Sequence, residues 1–316
     1  VESSRRSKPT GDGAPDWARR GDPVVEEATV SEPTVPEPTV PDPTVPDPTV
    51  SRPATRPLAL VTGASSGIGF ELARQFAEHG FDLIVAAEDV ELDDAVEHLR
   101  GLGGAVAPVS VDLTRREDVE RLVAAYRGAG RPLDAAALNA GVGVGGPFVE
   151  TDLDAELKLI ELNCVSTVHL AKRVVQDMVP RREGRILFTS SVASQAPEPF
   201  QAVYAASKAF VQSFALGIRE ELKDSGVTVT ALLPGPTDTE FFDRADLTDT
   251  KLGASDRKDD PAQVARQGFE GLMKGEASVF AGSLSSKAMG RLSAVLPDTV
   301  AAKAHRPMTE PGSAER

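Results

Sequence analysis

From Leu58 onward, short apolar runs alternate with longer stretches in which apolar residues recur every three or four positions. Runs bounded by turn formers predict strands buried on both faces, and the longer period predicts helices packed against them. Leu58–Val61 (LALV) opens the series, followed by a helical face at Ile68, Leu72 and Phe76 that stops at Gly80. Further strands are predicted at Phe81–Ala87, Ala105–Val111, Leu133–Leu138, Arg185–Ser190, Val227–Leu233 and Ala277–Ala281. A long helix is predicted from Asp152 to Val179 and another over Val203–Lys223. Thr114-Arg115-Arg116-Glu117 reads as a capping box that starts a helix, and Asp260 as the N-cap before Pro261. This alternation predicts a doubly wound (Rossmann-type) α/β fold: about seven parallel strands, helices on both faces, and ligands at the strands' C-terminal ends.

Residues 1–57 break the pattern. Glu32–Val50 is a nearly periodic Pro-Thr-Val-Pro-acid repeat, with Val its only apolar residue. Proline at two of every five positions removes backbone donors and fixes φ, so a disordered, extended acidic tail is expected. It reads as a solvated low-complexity segment, or as a tether or proline-motif ligand. The catalytic domain is expected over 58–282. Residues 283–316 read as a C-terminal extension with a short amphipathic helix (Met289, Leu292, Val295, Leu296) and a polar tail. That extension is expected to pack on the domain, with a lid, a membrane-surface contact or a subunit contact as alternatives.

Across its 316 residues the chain carries a net charge of −14. That sign argues against nucleic acid or anionic membrane as the main partner. Cys164 is the sole cysteine, so no intrachain disulfide forms and a reducing, cytoplasmic location is expected. The N-terminal residues lack the apolar core of a secretory signal, and no run reaches transmembrane length. His79, His98, His169 and His305 are scattered without ligand spacing; they read as surface or packing residues, and no metal site is expected.

Candidate chemistry begins at Thr62-Gly63-Ala64-Ser65-Ser66-Gly67-Ile68-Gly69, between the first strand and its helix. A glycine turn in that position converges backbone N–H groups and a positive helix end on one point, which suits a pyrophosphate. Gly63 is expected to serve the tight turn, Gly67 close backbone approach, and Gly69 helix–strand packing. A second signal is Tyr204-Ala205-Ala206-Ser207-Lys208, which sets a phenol and an ammonium one helical turn apart. At about 4 Å in a dielectric of about 20, the ammonium favours the phenolate by about 4 kcal/mol, which would bring the tyrosine from its usual pKa near 10 to near 7.

The glycine spacing T-G-x-x-x-G-x-G resembles that of the short-chain dehydrogenase/reductase superfamily, in its short single-domain branch. Asn139-Ala140-Gly141 resembles that family's N-N-A-G with Leu138 in the first place, and Pro234-Gly235-Pro236-Thr237-Asp238-Thr239 resembles its P-G turn. Ser191, thirteen positions before Tyr204, matches the family's substrate-facing serine. The resemblance spans about Leu58 to Gly282. It implies the catalytic set Asn163, Ser191, Tyr204 and Lys208, with Asn163 holding a water that links the lysine to solvent. It implies cofactor contacts from Gly63, Ser65, Ser66, Gly67, Ile68 and Gly69, from Asp112 and Leu113, and from Asn139, Ala140 and Gly141. Tyr204 and Lys208, then Pro234, Gly235, Thr237 and Thr239, complete that surface. NADP-binding relatives place a cation at the positions held here by Ser66 and Glu88. A carboxylate at Glu88 accepts from a free ribose hydroxyl and repels a phosphate, so the cofactor expected is NAD(P), with NAD(H) preferred.

The resemblance therefore implies an NAD(P)-dependent oxidoreductase interconverting small-molecule alcohols with ketones or aldehydes, Tyr204 acting as general acid/base. The complete catalytic set speaks against a non-catalytic dinucleotide-binding sensor or scaffold tethered by its tail. The glycine spacing speaks against a sugar-nucleotide epimerase. Substrate choice is expected from Phe241–Asp259, Val142–Phe148 and Gln195–Phe200, with Phe148, Phe200, Phe241 and Phe242 forming a partly apolar pocket. The helices at 152–179 and 203–223 resemble those that pair subunits in this family, so a homodimer or homotetramer is expected.

Overall fold

A computed structural model describes residues 56–315. The tail predicted over 1–57 lies outside the described residues except at its end, where Arg56 and Pro57 join the domain. The Asp82 backbone N–H donates to the Pro57 carbonyl at 2.8 Å, and Arg56 Nε lies 3.4 Å from Asp82 Oδ1.

The strands are β1 (Leu58–Thr62), β2 (Asp82–Ala87), β3 (Val106–Ser110), β4 (Ala135–Leu138), β5 (Gly184–Thr189), β6 (Val227–Pro234) and β7 (Ser278–Ala281). They form one parallel sheet in the order β3-β2-β1-β4-β5-β6-β7, with Leu60 opposite both Ile84 and Ala136. The order reverses between β1 and β4, the crevice where ligands settle in open sheets of this kind. β3 is the edge, and Pro108 sits exposed within it, where a missing backbone donor is tolerated.

Helices α1 (Gly67–Glu78), α2 (Glu91–Arg100), α3 (Arg116–Gly128), α4 (Leu153–Ile160), α5 (Thr167–Met178) and α6 (Ala202–Glu221) connect the strands. They are followed by α7 (Phe241–Arg244), α8 (Pro261–Lys274), α9 (Leu284–Ser293) and α10 (Asp298–Thr309). Alternate residues of β1 feed two cores. Leu58 and Leu60 cluster with Leu122, Val174 and Val211 from α3, α5 and α6; Ala59 and Val61 cluster with Phe76, Val96 and Phe269 from α1, α2 and α8. Each such large side chain contributes about 1.5–3 kcal/mol by burial. That two-sided demand makes the strands read as unbroken apolar runs.

Four expectations are corrected. The helix predicted over 152–179 is interrupted by a π stretch at Glu161–Ser166, centred on Asn163, a poor helix former whose amide bonds elsewhere. The capping box at Thr114 does not form. α3 starts at Arg116 without a side-chain cap, and the Thr114 hydroxyl donates to Asp112 Oδ1 at 2.6 Å instead. The extension expected to hold one short helix and a polar tail has a second helix, α10, preceded by Pro297. Finally, α9 buries Ser286, Gly290 and Ser293 while Leu292 and Val295 stay 58% and 76% exposed. Its small residues permit a close approach: a Cβ on Gly290 would meet Val192 Cγ1 at 2.8 Å and Phe280 Cδ1 at 2.9 Å. Among the described residues, no helix is long and apolar enough to cross a membrane.

Candidate active site

One cavity opens over the C-terminal ends of β1, β4, β5 and β6, and the glycine turn forms its floor. Gly63, Ser65, Ser66, Gly67, Ile68 and Gly69 all line it. Gly63 and Gly67 have φ of 63° and 54°, a region that favours glycine. A Cβ on Gly63 would stand 2.9 Å from Ala140 Cα, and one on Gly67 2.9 Å from Thr239 Cγ2. A Cβ on Gly69 would run into the Gly63 carbonyl oxygen, so this glycine lets α1 close directly against the end of β1. Ser66 is the N-cap of α1 yet gives no side-chain cap. The helix thus presents bare backbone donors to a space kept clear of side chains, which fits a dinucleotide pyrophosphate.

Ser191, Tyr204 and Lys208 line the same cavity. Ser191 follows β5 and caps a short 3₁₀ turn, its Oγ accepting from Ala193 N at 3.1 Å. Tyr204 lies in the first turn of α6, partly buried, with its ring 5.0 Å from that of Phe241. Lys208, one turn on, is 5% exposed; its Nζ donates to the Thr189 carbonyl at 3.1 Å and lies 5.7 Å from the Tyr204 ring centre. Gly141 leaves room for this approach, since a Cβ there would sit 3.1 Å from Lys208 Nζ and 3.0 Å from Asn163 Oδ1.

The acid–base expectation needs correction. Burial pushes the Tyr204 phenol up to about 12; a hydrogen bond with Ser191 pulls it down and the Glu198 carboxylate adds to the rise. Burial pushes the Lys208 ammonium down to about 8. Desolvation, which the residue spacing does not report, is the largest influence on each group, and the tyrosine does not fall near 7.

Lys208 therefore carries a stability cost with a defined pH window. Below about pH 8 the ammonium is protonated both folded and unfolded, and burial penalises the fold in full. Between about 8 and the ordinary 10.5 the folded state sheds its proton first, and the penalty fades. Lys208→Met is expected to melt several degrees higher than the parent at pH 7, the gap closing above pH 8. A lower melting temperature at pH 7 would contradict this.

Asn163 does not line the cavity. It is 1% exposed, and its amide clamps the loop after β4: Oδ1 accepts from Val142 N at 2.9 Å and Nδ2 donates to the Val142 carbonyl at 2.9 Å. Nδ2 also donates to Ser207 Oγ at 3.0 Å, so the residue ties the loop to α6. Asp112 also stays outside the cavity lining, its Oδ1 accepting from Thr114 N and Oγ1 at 2.9 and 2.6 Å; neighbouring Leu113 does line it. Asn139, Ala140 and Gly141 form one side. The Asn139 and Ala140 backbone N–H groups both donate to Thr62 Oγ1, and Thr189 Oγ1 donates to Asn139 Oδ1 at 2.9 Å. Pro234, Gly235, Thr237 and Thr239 form the opposite side.

At the far end, beyond β2, Glu88, Asp89, Glu240 and Arg244 line the cavity. Arg244 is held by Glu240 at 2.6 Å and Asp89 at 3.4 Å, while Glu88 lies 3.7 Å from Lys158. Arg74 is committed to Glu71 and Glu78, each at 2.6 Å.

The outer wall joins the expected Gln195–Phe200 loop, through Glu198, to residues of the C-terminal extension that were not singled out for the site from the sequence. Glu198 and, from the C-terminal helices, Met289, Ser293, His305, Met308 and Thr309 line it. His305, expected to be a surface or packing residue, lies with Nδ1 2.8 Å from Glu198 Oε1, and that carboxylate raises its pKa. Thr309 Oγ1 donates to the Pro199 carbonyl at 2.9 Å, and the Leu252 N–H donates to the Met308 carbonyl at 3.0 Å. Of the four phenylalanines expected in the pocket, Phe241 and Phe242 line it. Phe148 is 68% exposed, and Phe200 stacks under Arg306 at 4.9 Å.

The sequence pattern of the short chain dehydrogenases matches residues 57–249. A short chain dehydrogenase of Pseudocercospora fijiensis is 32% identical over 186 residues, covering 58% of this chain and 60% of that protein. The chain spans between 53% and 60% of the first curated relatives' length. Among solved structures, a short-chain dehydrogenase from Sphingobium yanoikuyae in complex with NADPH is similar with a TM-score of 0.66 and 34% identity, covering 71% of this chain and 87% of that one. A bulky-bulky ketone specific alcohol dehydrogenase from Comamonas testosteroni gives a TM-score of 0.63 at 29% identity, covering 71% and 85%.

Proposed function

We propose, from the premise that this chain belongs to the short-chain dehydrogenase family, that it interconverts alcohols and ketones or aldehydes using an NAD(P) coenzyme. One observation carries this reading: Ser191, Tyr204 and Lys208 share a single cavity with a glycine turn that leads into an uncapped helix end. The glycine turn, Asn139–Gly141, Lys208 and Thr239 would hold the dinucleotide, which gives or takes the hydride when bound. In carbonyl reduction the Tyr204 hydroxyl passes its proton to the substrate oxygen while Ser191 donates a hydrogen bond to the same atom. In alcohol oxidation the phenolate of Tyr204 takes that proton back. With its phenol held up to about 12, Tyr204 is protonated at neutral pH and stands ready as an acid. Asn163 positions the loop and the catalytic helix through its amide.

The coenzyme read from the site is NAD(H). Three carboxylates, Glu88, Asp89 and Glu240, face the far end of the cavity, and the nearby cations are already engaged, Arg244 by Asp89 and Glu240 and Lys158 by Glu88. That balance disfavours a 2′-phosphate. Nicotinamide absorbance with a panel of alcohols and ketones tests both statements. Turnover is expected, with kcat/KM at least tenfold higher for NADH than NADPH and a narrower gap in Glu88→Ala. No turnover of any carbonyl, or a preference for NADPH, would overturn the respective reading.

Leu157, Val165 and Phe210 on the 152–179 and 202–221 helices are 50%, 50% and 44% exposed, which supports a homodimer or homotetramer built on those helices. A single-chain mass in solution would refute it. The lone thiol of Cys164 supports a cytoplasmic location, which fractionation of the native host checks.

A further inference from the structure

The outer half of the cavity is walled by chain that the family pattern does not reach. The pattern ends at residue 249, whereas Met289, Ser293, His305 and Met308 line the cavity from α9 and α10. Opposite them stand Phe242, from the segment after β6, and Glu198, from the loop after Ser191. In this wall the His305 imidazole and the Glu198 carboxylate lie 2.8 Å apart, only 17% and 14% exposed, an ion pair whenever the imidazole is protonated. His305 Nε2 lies 3.3 Å from Ser293 Oγ, so the imidazole is held on both sides.

A pair of this kind discriminates by balance. A carboxylate entering the pocket meets Glu198, and an ammonium meets His305. Either must break the pair to gain a partner, leaving one buried charge uncompensated, which is strongly unfavourable. A hydroxyl both donates and accepts, and so can bond to the pair without dividing it. Around the pair, the two methionines and Phe242 reward alkyl or aryl surface and adapt to its shape.

We propose that the Glu198–His305 pair selects neutral, largely apolar ketones or secondary alcohols carrying a second, remote hydroxyl, over keto acids and amino ketones. This rests on the alcohol–carbonyl reading above, and the test separates the two.

Three ketones of matched length, ending in a hydroxyl, a carboxylate or an ammonium, are compared at about pH 6, where an ordinary imidazole is mostly protonated. The proteins are the full chain and its Glu198→Gln and His305→Ala variants. Coenzyme binding, followed by nicotinamide fluorescence, reports whether each is folded, and the near-isosteric Glu198→Gln serves alone if His305→Ala loses it. The parent is expected to favour the hydroxy ketone at least tenfold in kcat/KM. Glu198→Gln, which leaves the imidazolium unbalanced, should shift the ratio tenfold or more toward the keto acid; His305→Ala should shift it as far toward the amino ketone. Unchanged ratios in the variants, or a parent that takes all three ketones equally, would overturn the proposal. Should the parent reduce none of them, the wider panel above decides the hydride-transfer reading. Calorimetric binding of the three corresponding alcohols then decides the wall's role: the same order of preference supports it, and equal binding overturns it.

Discussion

Replacing Tyr204 with Phe is expected to lower turnover by about 10²- to 10⁴-fold, the usual contribution of a positioned acid or base, while coenzyme affinity stays within about twofold. The substitution removes one oxygen and keeps the ring, so the packing on Phe241 at 5.0 Å between ring centres survives. The parent's pH profile follows from the same hydroxyl. Because the phenol is held up to about 12, the protonated form persists through neutrality, and carbonyl reduction should hold steady there. Alcohol oxidation needs the phenolate and should climb with pH on the alkaline side. Tyr204→Phe should abolish both limbs. Steady-state rates in each direction from pH 6 to 10, with coenzyme dissociation constants measured in parallel, check this. A variant turning over at the parental rate would remove Tyr204 from the mechanism.

Gly69→Ala is expected to weaken coenzyme binding more than tenfold and to lower the melting temperature by several degrees. The added methyl runs into the Gly63 carbonyl and comes within 2.7 Å of the Gly63 carbonyl carbon, both of them backbone atoms that no rotamer change moves aside. Overpacking of this kind costs about 1–3 kcal/mol, or roughly 2–4 °C per kcal/mol in a domain near this size. The turn would have to open at the place proposed to hold the pyrophosphate. Gly80→Ala is the matching control. Gly80 has φ 86°, yet a Cβ there meets nothing within 4 Å. It should cost stability through backbone strain alone and leave coenzyme affinity intact. Equal affinity in Gly69→Ala and the parent, by fluorescence titration, would show that the turn is not the phosphate cradle.

The sheet was legible because burial on both faces forces continuous apolar runs, and Leu58–Val61 serves two cores at once. The glycine turn and the Tyr204–Lys208 pair stood out in the sequence because each is set by local geometry, a positive φ or an offset of one helical turn, whereas Ser191 was singled out only by the family resemblance. What stayed hidden depends on segments far apart in the chain. Nothing near His305 in sequence announces Glu198, 107 positions away, and nothing near Arg244 announces Asp89. The tyrosine's acidity was misjudged for a related reason: spacing reports how near two groups are, not what burial does to each of them. Asp112 carried a residue type suited to a ligand, but Thr114 two positions later claims its carboxylate.

The π stretch at Glu161–Ser166 sets the phase of everything after it. A residue of α-helix turns the chain by about 100°, and the wide turn here absorbs one surplus residue. Deleting a single residue from this stretch would yield a smoother helix by every local measure. It would also swing Asn163 a quarter-turn or more away from Val142 and Ser207, uncoupling the loop from α6. The least regular turn of the helix is the one that keeps the two in step.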